Sequence, residues 1–173
     1  MKLCMLGVRG HHGCVLRDLP ELPDIRITGI CAGTPDDDLG RLRQWCAEHG
    51  HCPTEYEDYR DMLDTEAADI VCVDGPFEQH AEMCIAAFQR GMNVISEKPV
   101  ATTLDDLDRL ATARFEADVH FAAMLQLRYA PAFYTAWAAV RNNAVGEVRL
   151  ISTQKSYKLG SRSEHYRHRT TYG

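Results

Sequence analysis

Three side chains of different chemistry stand together at the end of an apolar stretch. Glu97, Lys98 and Pro99 directly follow residues 93–96, whose sequence NVIS has the character of a buried strand. A charge next to a core costs free energy unless it is paired or used. A lysine that is partly removed from water in a cleft is suited to exchanging a proton with a substrate hydroxyl. The alternative is an ion pair without function at the end of a strand, worth only about 0–1 kcal/mol.

A glycine-rich loop follows the first apolar stretch. Its candidate binding residues are Gly7, Arg9, Gly10, His11, His12 and Gly13. The glycines are spaced G-x-x-G-x-x-G, whereas the dinucleotide fingerprint is G-x-G-x-x-G, so either Arg9 takes the place of the middle glycine or one residue is inserted. Gly10 and Gly13 still allow backbone N–H groups to approach a phosphate, to which Arg9 would add a positive charge. The alternatives are a strand-to-helix turn that binds nothing, and histidines that are solvated rather than turned towards a ligand.

The end of the second apolar stretch bears on which dinucleotide would be used. Ala32, Gly33 and Thr34 stand where an NAD-binding protein usually has an acidic residue for the ribose hydroxyls, and the first acids come only at 36–38. Without that acid nothing repels a 2′-phosphate, and Thr34 and Arg9 are at hand to bind one. The pattern therefore predicts NAD or NADP, with NADP favoured.

Short apolar runs alternate with longer amphipathic ones along residues 1–125. The runs predicted as strands are 2–7, 25–33, 68–75, 92–98 and 119–125, and those predicted as helices are 36–50, 77–91 and 102–115. The leading aspartates of the first helix suit its N-terminus, Gly50 suits its end, and Thr102 or Thr103 suits the N-cap of the third. This alternation predicts a doubly wound parallel sheet, in which ligands bind at the carboxyl ends of the strands. Lys98 falls at such an end.

The sequence changes character after residue 125. Residues 147–160 read as one long strand, which has no nearby sheet to pair with. We therefore expect a dinucleotide-binding domain at 1–125 and the incomplete start of a second domain at 126–173. The chain would then be a piece of a protein about twice as long.

Composition excludes several classes of partner. The chain has 173 residues and a formal net charge of -6, which argues against nucleic acid as the main partner because phosphate binding requires a basic surface. No apolar run approaches the ~20 residues that span a bilayer, so no membrane partner is expected. The seven cysteines form no C-x-x-C pair, and no Cys/His spacing indicates a metal site. They indicate reduced core residues of a cytoplasmic protein.

Several motifs together resemble one family of dehydrogenases. Besides the glycine loop, they are GPFEQH at 75–80, EKP at 97–99, LRYAPAF at 127–133 and VGEV at 145–148, in this order. On these motifs the chain resembles the Gfo/Idh/MocA (glucose–fructose oxidoreductase / inositol dehydrogenase) family over essentially its whole length. The resemblance implies a Rossmann domain followed by an α/β domain with a large, mostly antiparallel open sheet. It also implies NAD(P)-dependent oxidation or reduction of a sugar, polyol or related hydroxy compound, and a homo-oligomer in the full-length protein.

The resemblance also assigns roles to residues of the EKP and LRYAPAF motifs. Lys98 corresponds to the family's catalytic lysine, which hydrogen-bonds the reacting hydroxyl near the nicotinamide, and Pro99 to a proline that often follows a cis bond. Glu97 then either orients Lys98 or binds the ribose of the nicotinamide half. Gln126 and Arg128 border the substrate cleft; alternatively, Arg128 ties the two domains together by a salt bridge.

The motif after the third apolar run has a counterpart in the family as well. Gly75, Pro76 and His80 correspond to the T-P-x-x-x-H stretch that runs beside the cofactor. Gly75 stands in place of the threonine, which removes a hydroxyl contact. His80 either lines the cofactor cleft or is exposed to water near the start of a helix.

Two functions remain open on the sequence. The intact Glu97–Lys98–Pro99 favours an oxidoreductase that acts on CH–OH groups. The shifted glycine loop and the missing ribose acid favour a non-catalytic, nucleotide-binding regulatory or scaffold protein on the same fold. The family's catalytic aspartate and histidine would lie beyond Gly173, so the chain alone is not expected to complete the reaction.

Overall fold

A six-stranded parallel sheet forms the centre of the structure, a computed structural model that describes residues 1–154, 156 and 167–172. The strands are β1 (Lys2–Leu6), β2 (Arg26–Cys31), β3 (Thr54–Tyr56), β4 (Ile70–Val73), β5 (Asn93–Ser96) and β6 (Phe121–Ala123). They lie in the order β3-β2-β1-β4-β5-β6, and every neighbouring pair is parallel. The order reverses between β1 and β4, which is where doubly wound sheets bind their ligands. The predicted fold class is confirmed.

Helices cover both faces of this sheet. Among the described residues they are α1 (His12–Asp18), α2 (Gly40–Glu48), α3 (Tyr59–Glu66), α4 (His80–Phe88), α5 (Leu104–Ala117), α6 (Pro131–Arg141) and α7 (Arg169–Tyr172), with 3-10 turns at Leu19–Glu21, Phe77–Gln79 and Gln126–Tyr129. The side chains of α3, α4 and α5 form one core with the sheet, and those of α1 and α2 form the other. Segment α6 begins after the last strand and packs on the neighbouring 3-10 turn.

The first strand shows why the apolar runs are nearly continuous. Leu3 and Met5 point into the core beneath α1 and α2, whereas Cys4 and Leu6 point into the core beneath α3 and α4. Alternate side chains of a strand face opposite sides, so a strand that is covered on both faces must be apolar at every position. The predicted interior strands are confirmed as β1, β2, β4 and β5 for this reason. The predicted last strand is confirmed as the edge strand β6, whose Ala122 is exposed.

The predicted helix ends are confirmed in part. The Thr103 hydroxyl accepts a hydrogen bond from the backbone N–H of Asp106 at 3.1 Å and so caps α5. Gly50 has a φ of +71°, as expected of a residue that ends α2. Helix α2 begins at Gly40, later than predicted, and Asp37 is bound to the preceding loop. The expectation that leading aspartates suit its N-terminus is confirmed for Asp38, whose Oδ1 accepts the backbone N–H of Gly40 at 2.8 Å.

The remaining differences concern segments with weak periodicity. The short edge strand β3, with sequence TEY, and helix α3 were not predicted, because each exposes much of its polar sequence. The long strand expected at 147–160 is not found over 147–154 and 156, and the rest of that range lies outside the described residues. A strand needs a neighbour to bind its backbone groups, and none lies beside the described part of this segment.

The cysteines confirm the expectation of unpaired thiols. All seven are free, and five are buried. Burial raises the pKa of the Cys4 thiol to about 12 and that of the Cys72 thiol well above its usual range, the latter with a further contribution from Asp74 and Glu97. Such thiols are packing residues and weak nucleophiles. Across the part of the chain that the structure describes, no helix is long and apolar enough to cross a membrane.

We expect Phe88→Ala to lower the free energy of unfolding by about 3–5 kcal/mol. Phe88 is 1% exposed in the core of α4, and its ring meets that of Phe121 edge-on at a centroid distance of 5.8 Å. The matched control is Phe115→Ala, because Phe115 is 79% exposed on α5 and its loss should change the free energy by less than about 0.5 kcal/mol. Urea unfolding followed by circular dichroism measures both, and equal losses would contradict the assigned packing.

Candidate functional site

Three loops meet above the carboxyl ends of β1, β4 and β5. They are the glycine loop at 7–13, the segment 74–76 after β4 and the segment 97–99 after β5. The backbone N–H of Arg9 donates to the carbonyl oxygen of Asp74 at 3.0 Å, and that of Glu97 donates to Val73 at 2.8 Å. The sheet therefore brings together motifs that are far apart in the sequence, as the prediction requires.

The glycine loop fits tightly against the other two segments. Gly7 has a φ of +83°, and a Cβ atom there would lie 2.4 Å from the Asp74 carbonyl oxygen, so only glycine is accommodated. A Cβ atom at Gly10 would lie 2.6 Å from Asp74 Oδ1 and 2.8 Å from Glu97 Cγ. Gly13 has open space around it. The first two glycines are thus required by close packing, and the third is not.

Two fully buried carboxylates hold this loop in place. Glu97 and Asp74 are both 0% exposed. Glu97 Oε2 accepts the backbone N–H of His11 at 2.8 Å and lies 2.9 Å from Nδ1 of the same residue. Asp74 Oδ2 accepts the backbone N–H of His12 at 3.1 Å and lies 2.6 Å from its Nδ1. Each carboxylate thus binds one histidine twice, through its backbone and through its ring.

The surroundings of Glu97 bear on the two roles that the sequence left open for it. The residue is 0% exposed, and its Oε1 lies 3.5 Å from Lys98 Nζ. That distance is within ion-pair range but too long for a good hydrogen bond, in agreement with the absence of a hydrogen-bond partner for Oε1 among the described residues. Glu97 is thus in contact with His11 and next to Lys98, and its role towards a ligand stays a prediction.

Asp74 is a site residue that the sequence reasoning missed. It ends the apolar run of β4 as Glu97 ends that of β5, and the same rule about a charge beside a core could have found it. Its Oδ1 has no hydrogen-bond partner in the described part of the chain. Both Asp74 and Glu97 are therefore carboxylates kept next to the site by neighbouring loop groups.

His80 lies where neither sequence reading placed it. It is 0% exposed, so it is neither a solvated helix residue nor part of a cleft surface. Its Nδ1 lies 2.7 Å from the carbonyl oxygen of Pro99 and its Nε2 2.9 Å from that of Gly75. The ring joins the loops after β4 and β5, next to the Lys98–Pro99 peptide bond, which is cis as the resemblance implied.

Gly75, which stands where the family has threonine, packs against helix α4 and the loop after β2. A Cβ atom at Gly75 would lie 2.8 Å from the sulfur of Met83. One at Gly33 would lie 2.8 Å from the Cα of Gly75, so the loops after β2 and β4 touch through two glycines. Pro76 follows directly and precedes the 3-10 turn Phe77–Gln79.

Arg9 points towards the end of β2 rather than into the middle of the loop. Its Nε donates to Asp37 Oδ1 at 2.6 Å, and its Nη2 donates to Thr34 Oγ1 at 2.5 Å. Asp37 Oδ2 in turn accepts the backbone N–H groups of Gly33 and Thr34 at 2.9 Å and 3.2 Å. Asp37 follows the expected position of the ribose-binding acid in the sequence, but its side chain contacts the end of β2. Both of its oxygens already accept hydrogen bonds from neighbouring residues.

Two cavities flank the loops. One, of about 640 Å³, lies at the ends of β2 and β3, and its wall includes Ala32, Gly33, Thr34 and Asp37. The other, of about 390 Å³, is lined by His11, Lys98, Met124, Leu125, Gln126, Leu127 and Arg128. The second cavity brings the substrate candidates Gln126 and Arg128 to Lys98. Within the described residues Arg128 forms no salt bridge, so the reading of an interdomain ion pair has no partner there.

Fold and loops define a Rossmann-type nucleotide-binding protein. A sequence model of the oxidoreductase family with an NAD-binding Rossmann fold matches residues 11–124. The chain belongs to this family, Gfo/Idh/MocA, as the motifs indicated. The resemblance proposed from the sequence is confirmed.

The comparisons also show how much of its relatives the chain covers. A putative oxidoreductase from Thermotoga maritima superimposes with a TM-score of 0.90 and 38% identity over 99% of this chain and 53% of that one. The chain is 25% identical to trans-1,2-dihydrobenzene-1,2-diol dehydrogenase of Danio rerio, over 86% of its own length and 43% of that protein. It is 27% identical to myo-inositol 2-dehydrogenase of Thermotoga maritima, over 87% of its own length and 44% of that protein. The chain thus spans about half the length of the relatives it matches.

Gly10, which packs against the two buried carboxylates, and Gly13, which lies in α1, give a matched test of the packing of the glycine loop. Gly10→Ala should lower the free energy of unfolding by about 1–3 kcal/mol, because the new methyl group displaces two buried carboxylates that are each bound twice. Gly13→Ala lies in α1 with open space around it and should be neutral or stabilising by up to about 1 kcal/mol. Urea unfolding measures both, and a tolerated Gly10→Ala would contradict the packing of this loop.

Proposed function

We propose that the protein is an NAD(P)-dependent oxidoreductase that oxidises or reduces a CH–OH group of a sugar, polyol or related hydroxy compound. The observation that carries the proposal is the position of Lys98, whose ammonium group stands beside a buried carboxylate at a cavity above the switch point of the sheet. Membership of an NAD-binding oxidoreductase family supports it. So do the names of two relatives, which act on an inositol and on a dihydrodiol.

The dinucleotide would lie along the glycine loop and across the end of β2. The residues proposed to contact it are Gly7, Arg9, Gly10, His11, His12, Gly13, Ala32, Gly33, Thr34, Gly75 and Pro76. The fit is supported by the cavity at the ends of β2 and β3, whose wall includes Ala32, Gly33 and Thr34, and by the open space around Gly13. His80 and Glu97 would contribute by holding these loops, since both are buried. The bound cofactor would exchange a hydride with the substrate carbon.

The contacts of Arg9 favour NADP over NAD. Asp37 already accepts four donated contacts from Arg9, Gly33 and Thr34, which leaves it poorly placed to accept ribose hydroxyls. Its charge is compensated by the guanidinium of Arg9, so a 2′-phosphate would not meet a free carboxylate. The same guanidinium has further N–H groups, which are donors of the kind that bind phosphate.

The reacting hydroxyl would be held by Lys98. Its Nζ can hydrogen-bond the substrate oxygen in the alcohol and in the carbonyl form, and it can lower the cost of charge on that oxygen. Gln126 and Arg128, in the wall of the same cavity, would bind other polar groups of the substrate. We also propose that residues 126–173 begin a second domain and that the complete protein is a homo-oligomer.

A second candidate is a nucleotide-binding regulatory or scaffold protein without turnover. The observation in its favour is that the backbone N–H groups of His11 and His12 are already bound by Glu97 and Asp74. Those donors are consequently not free for a pyrophosphate. Titrating the protein with NADH and with NADPH, followed by nicotinamide fluorescence, separates the candidates: no binding of either removes both, and binding without turnover of any sugar or polyol supports the second.

Lys98→Met should lower kcat about 10²–10⁴-fold while the Kd for the dinucleotide stays within about threefold, because the ammonium group acts on the substrate oxygen. Lys2→Met is the matched control, since Lys2 binds the carbonyl oxygen of Glu66 at the opposite end of the sheet. Steady-state kinetics of the whole protein and fluorescence titration provide the two readouts. Unchanged kcat in Lys98→Met would refute the catalytic role.

Arg9→Gln should raise the Kd for NADPH by about tenfold or more and leave that for NADH within about threefold, because only NADPH carries the 2′-phosphate. Arg17→Gln serves as control, because Arg17 pairs with Asp18 on the exposed side of α1. Isothermal titration calorimetry gives both constants. A parallel weakening of the two cofactors would instead assign Arg9 to the shape of the loop.

A further inference from the structure

His11 stands in the cavity that contains Lys98. Its side chain is 40% exposed and forms part of the cavity wall together with Lys98, Gln126 and Arg128. His12, the next residue, has a similar carboxylate partner, but its side chain is only 18% exposed and does not line this cavity. Of the two loop histidines, only His11 therefore faces the place proposed for the substrate.

The contact with Glu97 fixes the orientation of the His11 ring. Nδ1 lies 2.9 Å from Oε2 of a carboxylate that is 0% exposed. An ionised carboxylate can only accept, so Nδ1 must carry the hydrogen, and in the neutral ring Nε2 then has the free lone pair. This is the way in which a buried acid holds an imidazole as a base in hydrolase triads. No described residue binds Nε2 in turn.

We propose that His11 is a second acid–base residue, which takes the proton of the reacting hydroxyl while Lys98 holds the oxygen. The inference rests on the function proposed above. When the alcohol is oxidised, the O–H bond breaks and its proton forms a bond to Nε2, the C–H bond breaks, and its hydride is accepted by the oxidised nicotinamide dinucleotide. The C–O bond becomes a carbonyl, and reduction runs the same transfers in reverse.

The charges around His11 suit this role. Glu97 and Lys98 face it from the end of β5, His12 and Asp74 from the loop and the end of β4, and Arg128 from beyond β6. Lys98 and Arg128 are cationic side chains in the wall of the same cavity. Glu97 is in direct contact with the ring and would stabilise positive charge that develops on it during proton transfer.

The ring tautomer can be measured without substrate. Long-range ¹H–¹⁵N spectra of the chain should show His11 with a protonated Nδ1 and an unprotonated Nε2 in its neutral form, the opposite of the tautomer usually favoured in water. Glu97→Gln should abolish this preference. A wild-type His11 with its hydrogen on Nε2 would overturn the proposal. If Glu97→Gln does not fold, the wild-type spectrum alone decides.

Kinetics of the whole protein test the proton transfer itself. His11→Asn keeps an N–H group that can bind Glu97 and removes Nε2, so kcat should fall by about 10²-fold or more, with loss of the limb of the pH profile that reports the base. Because asparagine keeps the backbone at position 11 and an N–H donor for Glu97, dinucleotide affinity should fall much less than kcat, by about threefold at most. His120→Gln is the control, because His120 is exposed and lies at the far end of β6.

The outcomes separate this inference from the proposed function. If the wild type binds neither dinucleotide, the proposed function fails and the inference fails with it. If the wild type turns substrate over and His11→Asn keeps both kcat and its pH profile, the inference alone fails. If His11→Asn loses dinucleotide binding together with kcat, His11 belongs to the shape of the loop, which also overturns the proposal. If the wild type binds a dinucleotide and turns over no compound, the non-catalytic candidate is supported and the inference fails together with the proposed function.

Discussion

The site depends on two carboxylates buried at the ends of adjacent strands. Asp74 and Glu97 are withdrawn from water, and each receives two contacts from one histidine of the glycine loop. Removing one hydrogen-bond donor from such a buried carboxylate leaves its oxygen without a partner, at a cost of about 1–3 kcal/mol. The glycine loop is therefore held in one conformation by electrostatics as well as by packing, and so are the backbone groups it presents.

The same contacts connect parts of the site that the sequence keeps apart. Glu97 binds the glycine loop through His11 and stands next to Lys98, so one carboxylate sets the position of both the loop and the ammonium group. His80 performs a similar task beneath them by joining the carbonyl groups of Gly75 and Pro99. A dinucleotide on the loop and a substrate at Lys98 would thus meet groups whose relative placement is fixed by buried polar contacts.

The altered glycine spacing also has a physical meaning. Arg9 takes the place of the middle glycine, and its side chain turns away from the loop to bind Asp37 and Thr34 at the end of β2. The loop accommodates the large side chain of Arg9 because that side chain extends out of the loop towards β2. Arg9, which the sequence presented as a departure from the cofactor motif, connects the glycine loop with the end of β2. A dinucleotide would cross both of these segments.

The sequence by itself determined the sheet, the order of its motifs and the family. The interior strands β1, β2, β4 and β5 were predictable because burial on both faces requires continuous apolar runs, and edge strand β6 because its residues are apolar although it is only partly buried. Lys98 became a candidate because a charge directly after such a run needs a reason. Edge strand β3 could not be predicted from the sequence, because it is short, exposed and polar.

Only the tertiary structure decided how the polar residues pair. Asp74, Asp37 and the partners of His80 are separated from their contacts by many residues, and hydrogen bonds between loops at different strand ends leave no periodic trace in the sequence. Burial is likewise a property of the packed chain, so Glu97 reads as a surface charge until β4, β5 and the glycine loop close around it.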